Sequence, residues 1–318
     1  MLLDCDVGSS NTWVGADKKY VKTSTSKSTG ATVVRELHTQ HTETVLTRSC
    51  RTSATALARS LAPSVSMTRR MLSDITHTRN GLSDTETVTL GPSLVIQNQS
   101  IGVASTAQGF QGVDGILGVG PTDLTSGTLS TGQLVPTVTD NLFSQGTIAS
   151  DSLGIFYQPT SEAGDVNGEL NFGGIDESKY VQSNRLLLLL FTYRNLSYRI
   201  TGDVSYVPIT STSPASNYWG IDQDLSYGDG TTLLTGSAGI VDTGTTLLMI
   251  ATDAFQKYQK ATGASMDQTT GLLKLSEEQF ENLQSLFFNI GAPHPHTHAS
   301  LCRLTGFVSL FQAESHTS

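Results

Sequence analysis

Ala238-Gly239-Ile240-Val241-Asp242-Thr243-Gly244-Thr245-Thr246-Leu247 brings an apolar approach up to an aspartate, then sets a hydroxyl residue, a glycine and two more hydroxyls after it. A shorter echo stands near the start of the chain, Leu3-Asp4-Cys5-Asp6-Val7-Gly8-Ser9-Ser10. In each, the glycine two residues past the Asp lets the backbone turn tightly and presents the carboxylate at a loop. The hydroxyl three positions beyond, Ser9 or Thr245, is placed to donate to an outer carboxylate oxygen. A lone Asp-Thr-Gly reads as an ordinary turn, since with glycine at ~7% of residues it arises by chance about once per several thousand positions. Two copies sharing approach, glycine and trailing hydroxyls carry much more weight. If the loops face one another, their carboxylates cannot both ionise. One keeps a proton, and the pair can hold an attacking water between a base and an acid. Asp6 and Asp242 are therefore expected to meet across a cleft between two β-rich lobes, as the catalytic residues.

The rest of the chain suits that setting. With 318 residues and 33.8 kDa it can form two lobes, each with its own core. Apolar residues at 37%, charged residues at 15% and 30 glycines fit a chain of strands and turns. The alternation in Thr85 to Leu90, Leu170 to Phe172 and Ser205 to Ile209 predicts strands. Helical periodicity predicts helices over Pro136 to Gln145, Ala251 to Thr262 and Ser276 to Leu286. No run of βαβ units occurs, so the expected class is all-β with few short helices.

Other chemistries find little support. A net charge of -9 and a pI near 5.2 exclude a nucleic-acid partner, for want of a basic face. The apolar run Leu186 to Phe191 is far short of the ~20 residues that span a bilayer. Cys5, Cys50 and Cys302 have no metal-ligand spacing, and an odd number cannot all pair internally. His294, His296 and His298 would share a face only on a strand, with no Cys or carboxylate to complete a site, so no metal or cofactor is expected. No Gly-x-Ser-x-Gly elbow supports serine hydrolysis. No signal peptide is visible after Met1. Asn98-Gln99-Ser100 is a glycosylation triplet, compatible with secretion and equally with an unmodified loop.

Charge is unevenly spread. All eleven arginines fall in residues 34–80, 181–201 and 291–318, where four acids leave a net of +7. The remaining residues hold eight lysines against 24 acids, a net of -16. Residues 34–80 also lack Gly, Phe, Tyr and Trp, so they carry neither hairpin turns nor aromatic strand positions. These stretches read as foreign to the rest, the alternative being a basic insertion used for binding. They are expected to be poorly ordered or at most isolated helices.

Asp6 to Ala16 (Asp-Val-Gly-Ser-Ser-Asn-Thr-Trp-Val-Gly-Ala) resembles the first active-site loop of secreted fungal pepsin-like aspartic proteases, with Val7 where that family has Thr. Gly112-Val113-Asp114-Gly115-Ile116-Leu117-Gly118-Val119-Gly120 resembles the family segment that threads beneath this loop, and Ile240 to Thr246 resembles the second loop. Thr137 to Thr147, Asn167 to Gly174 and Tyr206 to Gly220 add to the likeness, which is greatest to basidiomycete acid proteases.

The resemblance implies a bilobal pepsin-like fold, incomplete at both termini. It implies a first lobe over 1–150, with 34–80 in place of the flap, and a second over 151–318. It also implies endopeptidase action at acid pH on protein or peptide substrates, by an extracellular monomer. Asp6 and Asp242 match the catalytic aspartates, and Ser9 and Thr245 the hydroxyls that orient them. Gly8, Gly244 and Thr246 match positions that hold the substrate backbone. Ile116 matches a lining of the pocket before the cleaved bond, and Trp13 a partner of the flap. The alternatives are a non-catalytic peptide-binding relative of the same fold, or an inactive product of a faulty reading frame.

Overall fold

The structure, a computed structural model, describes residues 1–33, 64–67, 81–107, 110, 112–157, 168–181, 200–201, 204–228, 230–245, 247–268, 271–291 and 311–314. By spatial contact the chain divides into two compact units, Met1–Tyr206 with Asp242–Gly244, and Val207–Val241 with Thr245–Ser318. Both are built mostly of strands, as an all-β reading requires.

The first unit holds β1 (Leu3–Asp6), β2 (Trp13–Val14), β3 (Lys27–Val33), β4 (Ser64–Met67), β5 (Gly81–Gly91), β6 (Leu94–Ala104) and β7 (Gly115–Gly118). After α1 (Val138–Ser144) follow β8 (Leu153–Tyr157), β9 (Gly168–Phe172), β10 (Tyr180–Val181) and β11 (Ile200–Thr201). Six strands form one sheet in the order β1-β7-β2-β6-β5-β3. β1 runs parallel to β7, while β2 lies antiparallel to β7 and parallel to β6. The chain thus crosses over itself around β7, and the loop from Val7 to Thr12 is buried at the crossing.

Helix α1 starts where the sequence supplies a reciprocal cap: Asp140 N–H donates to Thr137 Oγ1 (3.3 Å) and Thr137 N–H to Asp140 Oδ2 (2.7 Å). It lays Val138 and Leu142 into a core with Val7, Leu94, Ile96, Leu117, Val119, Leu170 and Phe172. Leu170 and Phe172 share this core, and by contact the first unit runs on to Tyr206. β8 and β9 pair with each other, and Leu170 and Phe172 bury themselves in the first unit.

The loop into β3 is fastened by two carboxylates of β5. Lys22 reaches Asp84 at 3.1 Å, and Glu86 accepts hydroxyls from Tyr20 (2.7 Å), Thr23 (2.9 Å), Thr25 and Ser26. Burial alone would raise the Glu86 pKa, but the hydroxyl donors together bring it down to about 2.

The second unit holds β12 (Gly220–Tyr227), β13 (Thr231–Ile240), β14 (Leu248–Ala251), β15 (Ser265–Met266), β16 (Leu273–Lys274), β17 (Leu286–Ile290) and β18 (Phe311–Glu314), with α2 (Thr252–Thr262) and α3 (Glu277–Glu281). β12 is the middle strand of a sheet ordered β13-β12-β17. Helix α2 presents Ala254, Phe255 and Tyr258 to a core with Leu225, Leu233, Ile250 and Leu286. It ends at Gly263, whose φ of +71° suits a left-handed cap.

Three expectations change. The helix predicted to reach Leu286 stops at Glu281, because the apolar Leu286–Ile290 run pairs with β12 instead. Ser205 to Ile209 forms no strand, and Tyr206 and Ile209 are exposed. Alternation makes a strand only where a neighbouring edge supplies backbone partners. The described parts of the arginine-bearing stretches are strand rather than helix: β4 pairs with β9, β11 with β10, and β18 with β14. Their remaining residues, the flap position and His294, His296 and His298 among them, lie outside the described residues. Among the described residues no helix is long and apolar enough to cross a membrane.

Candidate active site

Asp6 closes β1 and is only 6% exposed. Its loop rests on the segment after β7: Val119 N–H donates to Asp6 O (2.9 Å), Gly120 N–H to Ser9 O (2.8 Å), and Ser10 Oγ to Pro121 O (2.5 Å). A side chain at Gly118 would place its Cβ 2.5 Å from the Ser10 carbonyl carbon, so the thread can pass only as glycine. The thread was expected from the sequence; its supporting bonds were not.

Asp242 belongs, with Thr243 and Gly244, to the same compact unit as Asp6. The two loops repeat one local geometry. Gly8 N–H donates to Asp6 Oδ1 at 2.7 Å, and Gly244 N–H donates to Asp242 Oδ1 at 2.8 Å. The two carboxyl groups are themselves hydrogen-bonded. Neither glycine has a positive φ. What each supplies is space: a Cβ on Gly8 would lie 2.5 Å from Asp242 Oδ1, and one on Gly244 2.7 Å from Asp6 Oδ1. The glycine requirement therefore comes from each loop's approach to the other's carboxylate, more than from the turn.

Thr243 joins the loops. Its hydroxyl donates to Cys5 O at 2.9 Å and accepts from Val7 N–H at 3.1 Å. The corresponding position in the first loop is Val7, 1% exposed within the apolar core and without a hydroxyl to return the bond. Sequence reasoning marked the Val7 substitution but passed over Thr243, although its place after Asp242 was the available signal.

The remaining positions divide. Ser9 is buried and its hydroxyl bonds the Asp6 carboxyl. Thr245 is half-buried in the second unit, and Thr246 lies outside the described residues. Trp13 and Ile116 are cross-strand neighbours, and Trp13 packs edge-to-face on Phe110 at 4.7 Å. Both belong to one small apolar cluster with Val113.

Burial, the Asp242 charge and the bond to Asp242 push the Asp6 pKa up from 3.8 to about 8, against the opposing pull of Gly8 N–H and Ser9. The pair therefore keeps one proton that two separate carboxyls would have lost. Because the folded value of Asp6 lies above the unfolded one, the folded chain holds a proton that the unfolded chain releases, which costs stability. That cost is absent below pH 3.8 and grows as pH rises toward 8. Asp6→Asn is expected to raise the thermal midpoint at pH 7 and to leave it nearly unchanged at pH 3. Equal midpoints at pH 7 in scanning calorimetry would contradict a buried, paired Asp6.

The eukaryotic aspartyl protease family model matches residues 1–189 and 189–301. Polyporopepsin of Irpex lacteus is 50% identical over 288 residues, covering 90% of this chain and 68% of its own length. Rhizopuspepsin-1 of Rhizopus niveus is 32% identical over 216 residues, 67% of this chain and 47% of its own. The crystal structure of the aspartic proteinase from Irpex lacteus superposes with a TM-score of 0.72 at 44% identity, covering 99% of this chain and 80% of that one. The chain belongs to the eukaryotic aspartyl protease family, the pepsin-like aspartic endopeptidases.

Proposed function

We propose that this chain hydrolyses peptide bonds within proteins at acid pH, using a water activated between Asp6 and Asp242. The observation that carries the reading is the pair of hydrogen-bonded carboxyls, each held by the same glycine turn. One carboxylate takes a proton from water as its oxygen attacks the scissile carbonyl carbon, while the protonated partner gives its proton to the carbonyl oxygen. Collapse of the tetrahedral intermediate breaks the C–N bond as the amine nitrogen is protonated. Water and two carboxyls suffice for these steps.

Ser9 and Thr245 orient the outer oxygens. Gly8, Gly244 and Thr246 hold the extended substrate backbone. Ile116 lines the pocket before the cleaved bond and favours large apolar side chains, and Trp13 fixes the wall beside it. One chain contributes both aspartates, which supports action as a monomer, and the family relationship supports an extracellular setting.

The test is the 318-residue chain incubated with denatured globin at acid pH and the cut sites mapped. Cleavage after large apolar residues, blocked by a statine-type analogue of the tetrahedral intermediate, is the expected result. Absence of cleavage, or inhibition by a chelator instead, refutes the proposal.

A further inference from the structure

Strand β6 carries a departure from regular pleating at one position. Leu94 and Ile96 face the core, so strict alternation would turn residue 98 inward as well. The side chains buried further along are Gln99 and Ile101 instead. The parity changes because Glu86 pairs with Gln99 but Val88 with Ile96, leaving Gln97 and Asn98 opposite the single residue Thr87. Asn98 takes up the extra length with a φ of +54°, the one positive value among the described non-glycine residues. Asparagine tolerates that left-handed conformation better than most residues.

The neighbours on either side are tied down. Gln97 exchanges two 2.9 Å bonds with the Gln145 side chain, and its own Oε1 accepts from Thr87 Oγ1 at 2.9 Å. Gln99 is buried, donating to Pro136 O (3.2 Å) and accepting from Asn141 Nδ2 (2.9 Å). Between them Asn98 is exposed. It is the first residue of Asn98-Gln99-Ser100, an acceptor triplet for N-linked glycans.

We propose that Asn98 is an N-glycosylation site, kept outside the fold by the bulge in β6. The reading rests on the extracellular placement above. In the modification, the Asn98 side-chain nitrogen bonds to C1 of an oligosaccharide carried on a lipid diphosphate. The C1–O bond to the diphosphate breaks, the lipid diphosphate leaves with the electron pair, and the transferring enzyme takes the amide proton. The sugar is added to the extended chain, and the bulge then lets β6 fold without drawing it into the core.

The test uses the full chain behind a cleavable secretion leader in a yeast host. Asn195→Gln is included because Asn195-Leu196-Ser197 is a second acceptor triplet. Leader-free protein is digested and the peptide bearing Asn98 weighed before and after endoglycosidase treatment. The expected result is a glycan on Asn98 in most molecules, lost in Asn98→Gln and in Ser100→Ala. Leader-free protein with bare Asn98 overturns the proposal. Since the leader supplies entry to the secretory route, that outcome counts against the site and not against the extracellular reading.

Discussion

Asp242→Asn is expected to lower proteolysis at acid pH by roughly 10³–10⁴-fold, the upper part of the range for general acid–base groups. An amide can still accept Gly244 N–H, so the loop should keep its shape, but it cannot take the proton of an attacking water. The Asp6 carboxyl alone cannot serve as base and as proton donor in the same step. Rates on a chromogenic peptide, with unfolding midpoints measured alongside, separate this loss from misfolding. Substantial turnover by a well-folded Asp242→Asn protein would remove Asp242 from the mechanism.

Thr243→Val should have the next largest effect, by a different route. Its hydroxyl serves both the Cys5 carbonyl and the Val7 amide, and Val7 has no hydroxyl with which to hold the loops from the other side. Removing it takes the acceptor from the Val7 amide, at about 1–3 kcal/mol for a buried group left unsatisfied. A shift of the carboxyls by ~1 Å costs about a hundredfold in rate. The loss should fall on kcat more than on KM, because Thr243 is assigned no contact with substrate. Thr243→Ser retains the hydroxyl and should recover most of the rate. If Thr243→Val keeps its kcat, or Thr243→Ser fails as badly, the bridging role is mistaken.

Much of this site could be read from residue order, and the reasons are local. A carboxylate followed two residues later by glycine and three later by a hydroxyl describes a turn that closes within four residues. The pairing of Gly8 with Asp6 and of Gly244 with Asp242 follows from that. Helix α1 was legible from its periodicity over Pro136 to Gln145, and Thr137 and Asp140 cap it from within its first turn.

What escaped the sequence depends on partners far along the chain. The close approach of Gly8 to Asp242 and the Thr243 bridge to Val7 each join residues more than 230 positions apart. Ser205 to Ile209 shows the converse: its alternation is clear, but among the described residues it gains no partner strand. Burial of Leu170 and Phe172 in the core of the first unit is likewise set by packing rather than by any local signal.

The central claim, that Asp6 and Asp242 act as one proton-sharing pair, is tested most directly by the pH dependence of kcat/KM on a small peptide substrate. Catalysis requires one carboxyl ionised and its partner protonated, so the profile should be bell-shaped. The rate should rise as the first proton leaves the pair at low pH and fall as the second leaves, with little activity remaining above pH 8, the value toward which Asp6 is raised. A rate that still climbs through pH 8, where both carboxyls would be ionised, contradicts the account.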